Sequence, residues 1–586
     1  MTVFVLVAGV HTGGWVWEGT AARLRAAGAE AHSVTLTGLE PGDGGASGAA
    51  AERVLARGRC EEAGQVNRSA CAPARPGEPP RAATTPTGPQ RPTGAGPAAR
   101  TNQPTADRSG PLEPRDTART SSPDIDLETH VADVVRLIDE LDAPDLVLVG
   151  HGYGVLPVSG AADRRPDRVA RLVLLDTAPP RVGESALALI TNPVLRAEAV
   201  HLAGEPDGDD RHPPGWVIPP PDRDAWQRHG STDGVPDDAM EQLTLRAVPH
   251  PAATLVRPLH LAGAAAGLPT TGVLCTANGT SIALIENMVR LGDPRLSALA
   301  RPEVGFLELD TGHWPMLSAP DELARTLLRA AADEGRRISP PDGELPPHLG
   351  PFVLDLPVRP RERIGRVDLH LPDTDHPRPA VIIVHGGPVP DTADPTPRDW
   401  PAYLGYARLA ASLGAVGATV DHRLHGLDDY PRAAADVAAA VETVRTHPCV
   451  DGDRIALWYF SGGGLLAADP LGAPPRWLRC VAATYPVLAP LPSWGLGESR
   501  FQPAAAVRAA GRLPIVLTRV GRELPEIAAT VAEFLTAATA CGADVEIVDV
   551  PNGQHGFETV DHIEEARVGV RRAMSAVLGH LGVTGP

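Results

Sequence analysis

Short, mostly apolar runs recur along this chain at strand length, and amphipathic helical stretches separate them. In the first half they are Phe4–Val7, Leu146–Val149, Leu172–Leu175, Val273–Cys275 and Phe306–Leu309. In the second half they are Val381–Val384, Ala415–Val420, Ile455–Trp458, Val481–Thr484, Ile515–Thr518 and Val545–Val548. Runs without polar alternation are expected of strands buried on both faces, which is the condition of a parallel sheet covered by helices. The stretches between them supply those helices. Val131, Val134, Val135, Ile138 and Leu141 recur at helical spacing, as do Ile527, Val531, Phe534, Leu535 and Ala538. A chain of 586 residues exceeds one typical core. Two such series therefore predict two α/β domains, each a mostly parallel sheet with helices on both faces.

The series is interrupted twice. The 60 Gly and 62 Pro residues exceed ordinary usage and point to a low-complexity segment. Residues 44–124 are Ala, Gly, Pro, Arg, Thr and Ser with no aromatic and almost no periodicity. Such a composition buries too little apolar surface to offset its ordering entropy, so it reads as a disordered insertion. The second break, EGRRISPPDGELPPHLGP at 334–351, reads as an interdomain linker. The predicted organisation is a first domain over 1–43 and 125–333, the insertion, the linker, and a second domain over 352–584.

Charge and cysteine usage exclude several classes. A net charge of -19 is the wrong sign for a nucleic-acid binder. The six cysteines fall without CxxC or Cys/His ligand spacing, so neither a disulfide framework nor a metal site is expected. The opening MTVFVLVAGVHTGG lacks a basic flank and reads as a first strand, not a signal peptide. No apolar run approaches the roughly 20 residues that span a bilayer. A cytoplasmic protein without membrane or nucleic-acid partners is the expectation.

The second half carries the residue types of acyl-transfer chemistry, each after a predicted strand. In IALWYFSGGG, Ser461 sits at a strand-to-helix turn that exposes its hydroxyl, and the next N–H, on Gly462, points at a developing oxyanion. In VIIVHGGPVP, a glycine loop after another strand offers a second donor. Pro388 has no N–H, which leaves Gly387. A serine hydroxyl needs a base, and the base needs a carboxylate. VDVPNGQHGFE offers His555, and IVLTRVGRELPE offers Glu523, with Glu526 next in line. From about Phe352 to Gly582 these motifs, together with DHRLHGLDDYPRAAADVAAAVETVR, resemble the dienelactone hydrolase and prolyl oligopeptidase-like esterase branch of the α/β-hydrolases. The resemblance implies Ser461 as nucleophile, His555 as base, Glu523 as acid, and Gly387 with Gly462 as oxyanion hole. Two positions depart from that pattern: Tyr459 stands where a glycine is usual, and the acid is Glu in place of the commoner Asp.

The first half resembles a different α/β-hydrolase branch, that of the methylesterases and hydroxynitrile lyases. The likeness rests on Gly13-Gly14-Trp15 with Trp17, on Leu36–Leu39, and on LVLVGHGYGV, RLVLLDTAPP and LDTGHWPMLS. In GHGYG the nucleophile position is Gly152, which has no side chain. The acid position after the Val273 strand reads as Asn278 (CTANGT), while a base-like His313 remains. This degenerate site is not expected to hydrolyse esters by the usual route. A scaffold packed on its partner is the leading expectation for this half, followed by a ligand pocket, then non-covalent chemistry by His313.

The functional expectation is therefore a cofactor-free serine hydrolase of the second half, acting on a small-molecule ester or lactone. A prolyl oligopeptidase-type peptidase is the enzymatic alternative, disfavoured because the first half shows no four-stranded blade repeat. A non-catalytic binding or scaffold protein, with both domains degenerate, is the contrasting class.

Overall fold

The computed structural model describes residues 1–40, 125–203, 216–290, 296–338, 346–497 and 499–583. The insertion predicted at 44–124 lies outside the described residues. In the first half the strands are β1 (Val3–Val7), β2 (Glu30–Val34), β3 (Leu146–His151), β4 (Val169–Leu175), the short ribbon β5 (Val217–Ile218) and β6 (His250–Pro251), β7 (Thr270–Cys275), β8 (Val304–Leu309) and β9 (Arg336–Arg337). The second half contains β10 (Arg361–Ile364), β11 (Val367–His370), β12 (Arg378–Val384), β13 (Val416–Val420), β14 (Val450–Phe460), β15 (Leu478–Thr484), β16 (Ile515–Arg522) and β17 (Val545–Gln554).

Two mixed, mostly parallel sheets result. The first runs β2-β1-β3-β4-β7-β8-β9, and the second β10-β11-β13-β12-β14-β15-β16-β17. Six strands of one match six of the other in order: β2-β1-β3-β4-β7-β8 against β13-β12-β14-β15-β16-β17. All pairs within each of these sets are parallel. Antiparallel partners occur only at the margins, where β9 pairs with β8 and where β10 and β11 extend the second sheet beyond β13. Arg336–Arg337 thus carry the first sheet into the stretch read as linker. Both sheets belong to one compact unit, and this is the α/β-hydrolase architecture. No helix among the described residues is long and apolar enough to cross a membrane.

Each sheet is buried on both faces, as the apolar runs require. In the second sheet Val384, Leu457 and Tyr459 point into one core, and Ile383, Trp458 and Phe460 into the other. The helices dock by their apolar stripes. Leu127–Glu140 opens with a capping box, Asp126 accepting from the Thr129 N–H at 3.0 Å, and buries Val131, Val134 and Ile138 against the first sheet. The helix Pro525–Cys541 buries Ile527, Val531, Phe534 and Ala538 in the same way.

Beyond β14 the chain turns through Ser461–Ala467, a tight 3₁₀ stretch in which three glycines follow Ser461. A Cβ on Gly462 would lie 2.0 Å from the Gly387 carbonyl oxygen, and one on Gly463 would lie 2.2 Å from that of His385. The turn is therefore wedged against the loop after β12, and only hydrogen fits between them. We predict that Gly463→Ala lowers unfolding stability by about 3 kcal/mol or more, the upper range of overpacking. Exposed Gly579, with open space around it in a helix, should gain about 0.5–1 kcal/mol as Ala. Chemical denaturation of both variants checks the pair.

Glu558 is fully buried beneath the second sheet's site, its Oε1 accepting from the Tyr406 hydroxyl at 2.9 Å. Burial raises its carboxyl from the ordinary 4.5 to about 7. A carboxyl raised on folding holds its proton more tightly in the native state, so stability falls as pH climbs from about 4.5 to about 7. Glu558→Gln should therefore stabilise the protein at pH 8, by up to about 3 kcal/mol, and much less at pH 4. Thermal unfolding at the two pH values tests this, and an equal offset at both would contradict it.

Candidate active site

In the second half the sheet presents three side chains at the carboxyl ends of its strands. Ser461 follows β14 with φ of +49°, a left-handed conformation rarely taken by a residue with a side chain. Its carbonyl accepts from Val487 N–H at 2.9 Å, which ties the turn to the chain beyond β15. β16 and β17 shift register between Val520 and Arg522 before both leave the sheet. Glu523 lies one residue past β16 and His555 one residue past β17. Gly556, at φ +76°, turns the chain after His555, and the Gln554 N–H donates to the Asp561 carboxylate at 2.7 Å.

The three groups meet. His555 Nε2 lies 2.8 Å from Ser461 Oγ, and His555 Nδ1 lies 2.9 and 3.0 Å from the two Glu523 oxygens. The Glu523 side chain is 6% exposed and that of His555 is 16% exposed. The carboxylate is thus shielded while the imidazole edge remains reachable. One Glu523 oxygen also accepts from the Leu524 N–H at 2.8 Å, which seats the longer side chain. The Tyr485 ring packs 4.5 Å from that of His555. Glu526, next in line in the sequence, instead bonds Ser281 of the first half.

Gly387 and Gly462 sit against one another at the turn described above. The Gly386 N–H donates to the Tyr403 hydroxyl at 3.1 Å. Tyr459 points away from Ser461 into the core with Leu457, Leu465 and Leu466. Its bulk is accommodated by the adjoining helix and not by the site. His385 and His422 stack at 3.6 Å, with the His422 Nε2–H donating to the His385 carbonyl at 2.9 Å. Burial lowers His385 to about 4, so this pair is neutral and structural. Phe501 is buried in the core against Tyr430 at 5.4 Å.

The first half repeats the frame with different contents. Gly152 follows β3 at φ +52°, close to the angle of Ser461. His313 follows β8. Its Nδ1 lies 2.7 Å from Asp176 Oδ2, a carboxylate at the end of β4 that sequence reading had not selected. Asn278, read as the acid position, is not the partner of the imidazole: its Nδ2 donates to Asp176 Oδ2 at 2.7 Å, and its Oδ1 accepts from Ser231 N–H at 2.9 Å. The first half therefore sets a carboxylate against this imidazole, drawn from the strand next to the one that precedes Gly152, a position with no side chain. The cue was present in LVLLDTAPP, a carboxylate directly after a buried strand. Asp176 has φ of +48°, and Tyr485 occupies the matching place after β15 at +36°.

The halves touch through connectors that leave these strand ends. Ser493 Oγ donates to the Gly279 carbonyl at 3.2 Å, and Arg196 pairs with Asp428. A Cβ on Gly495 would meet the Asn192 Cα at 2.2 Å. Among the described residues no group of three or more His, Cys, Asp or Glu is arranged to hold a metal ion.

No protein-family model matches the chain. The carbendazim hydrolyzing esterase of Nocardioides sp. (strain SG-4G) is 30% identical over 216 residues, covering 36% of this chain and 81% of that protein. Among solved structures, an extracellular α/β-hydrolase from a Paenibacillus species is 16% identical, with a TM-score of 0.35, over 56% of this chain and 99% of that one. Thermogutta terrifontis esterase 2 is 20% identical, with a TM-score of 0.31, over 38% and 90%. At such scores the fold assignment rests on the strand order itself. By its sequence likeness the chain belongs to the family of the carbendazim hydrolyzing esterase, and it carries that membership on an α/β-hydrolase fold.

Proposed function

We propose that the second half is a serine hydrolase that cleaves a small carboxylic ester or lactone through an acyl-enzyme at Ser461. The observation that carries this reading is the unbroken hydrogen-bond chain Ser461–His555–Glu523, with each contact between 2.8 and 3.0 Å. Family membership supports hydrolase chemistry, and the chain of contacts supports the covalent route.

In this reading His555 Nε2 takes the Ser461 proton as Oγ attacks the ester carbonyl. Glu523 stabilises the imidazolium and fixes its orientation. The oxyanion collects on the N–H groups of Gly387 and Gly462, which the wedge between turn and loop holds in place before substrate arrives. The alkoxide leaves with the proton from His555. Water then repeats the sequence, and the acid is released. No cofactor takes part in these steps. The relative's name gives carbendazim as what that protein hydrolyses; for this chain we extend only the ester chemistry.

A fluorophosphonate probe should label the wild-type protein, and Ser461→Ala should abolish the label. p-Nitrophenyl ester turnover should fall by about 10³-fold or more in the same variant. A folded wild-type protein that takes no label would end the serine-hydrolase reading. Glu523→Gln should keep the label but slow its appearance by about 10²–10⁴-fold, as expected for an imidazole left without its anion.

A further inference from the structure

In the second half His555 Nε2 is occupied by the Ser461 hydroxyl. The corresponding atom of the first half, His313 Nε2, has no protein partner among the described residues, although Asp176 holds the opposite nitrogen. The carboxylate itself is firmly seated, since Oδ1 accepts from the Cys275 N–H at 3.0 Å and Oδ2 from Asn278. The imidazole is fixed from three sides. Its backbone N–H donates to the Ser231 carbonyl at 2.7 Å, and its carbonyl accepts from His151 at 2.9 Å. Gly230 packs so closely on the ring that a Cβ there would lie 2.4 Å from Cγ. The His313 side chain is 12% exposed.

Opposite this base the nucleophile turn keeps its left-handed geometry at Gly152, next to His151, whose ring lies 4.5 Å from that of His313. A Cβ at Gly152 would meet nothing nearer than Gly9 Cα at 3.7 Å. The space of the missing side chain is therefore open and has not been refilled by neighbouring groups. The Trp314 ring, 5.5 Å from that of His313, packs on Trp226, which in turn meets His229 and His11. Burial lowers His229 to about 3 and His11 to about 4, so both are uncharged at neutral pH. They suit an uncharged ligand better than a carboxylate or phosphate.

We infer that the first half is a second, non-covalent catalytic site, in which a water molecule occupies the place of the missing serine hydroxyl and His313 acts on it as general base toward a small uncharged ester. The water proton passes to Nε2 while the oxygen forms a bond to the ester carbonyl carbon. The tetrahedral intermediate then collapses, the ester C–O bond breaks, and the leaving alkoxide takes the proton back from Nε2. Acid and alcohol are the products, and no acyl-enzyme forms. This inference stands apart from the Ser461 reading.

The test uses the full chain and p-nitrophenyl acetate. Ser461→Ala should retain a slow turnover that fluorophosphonate does not inhibit. Adding His313→Gln should lower that residual rate by tenfold or more with an unchanged circular dichroism spectrum. Equal residual rates with and without His313→Gln overturn the inference. A second variant, Ser461→Ala with Gly152→Ser, should regain fluorophosphonate labelling, because the restored hydroxyl meets a base already in place. Absence of label on that folded protein also overturns it. Failure of the Ser461 reading is separately visible as undiminished turnover or labelling in Ser461→Ala, which leaves the His313 comparison intact.

Discussion

The second half depends on the contact between the glycine turn after β14 and the loop after β12. Carbonyl oxygens of His385 and Gly387 stand where Cβ atoms of Gly463 and Gly462 would be. That approach brings two strands of the topological switch point together at their carboxyl ends, where open α/β sheets bind ligands. It also forces Ser461 to φ +49°, an unfavourable angle whose cost of roughly 1–3 kcal/mol the surrounding packing must bear. In exchange the hydroxyl is held 2.8 Å from His555 Nε2. Preorganisation of this kind removes reorganisation at the moment of reaction.

The two sheets show how one frame tolerates different fittings. Each supplies a histidine after its last parallel strand of the matched set, but the carboxylate comes from β16 in the second half and from β4 in the first. Both positions open onto the same side of the sheet, so an imidazole can be oriented from either. The strand next to the nucleophile strand offers a tight left-handed residue in both halves, Tyr485 in one and Asp176 in the other. In the second half that place is aromatic and buttresses the histidine ring; in the first it is acidic and bonds it.

Much of this was written in the sequence. Mostly apolar runs identified the central strands, because burial on both faces favours apolar residues. Strands at or near the margins were silent: β2 (EAHSV) and β10 (RERI) carry charge because less of their surface is covered, while β11 (VDLH) is buried throughout but includes Asp368 and His370. Around β11 the charge is paired, with Arg363 donating to both oxygens of buried Asp368 at 2.8 Å. The second half's three site residues were marked by their place after strands, and the chain order matched the strand order. Asp176 escaped because that ordering rule puts the acid one strand later, where Asn278 stands. Neither the orientation of Tyr459 nor the bond from Glu526 to Ser281 had a sequence signal, since both are set by packing between distant segments.

The connectors that join the halves form a continuous run of contacts from one imidazole to the other. His555 packs on Tyr485; the chain beyond Tyr485 leads to Ser493; Ser493 bonds the Gly279 carbonyl; and Gly279 follows Asn278, which holds Asp176 and through it His313. Any free energy exchanged along this path is reciprocal by linkage. Whatever factor occupancy beside His313 imposes on affinity at Ser461, occupancy at Ser461 imposes in return.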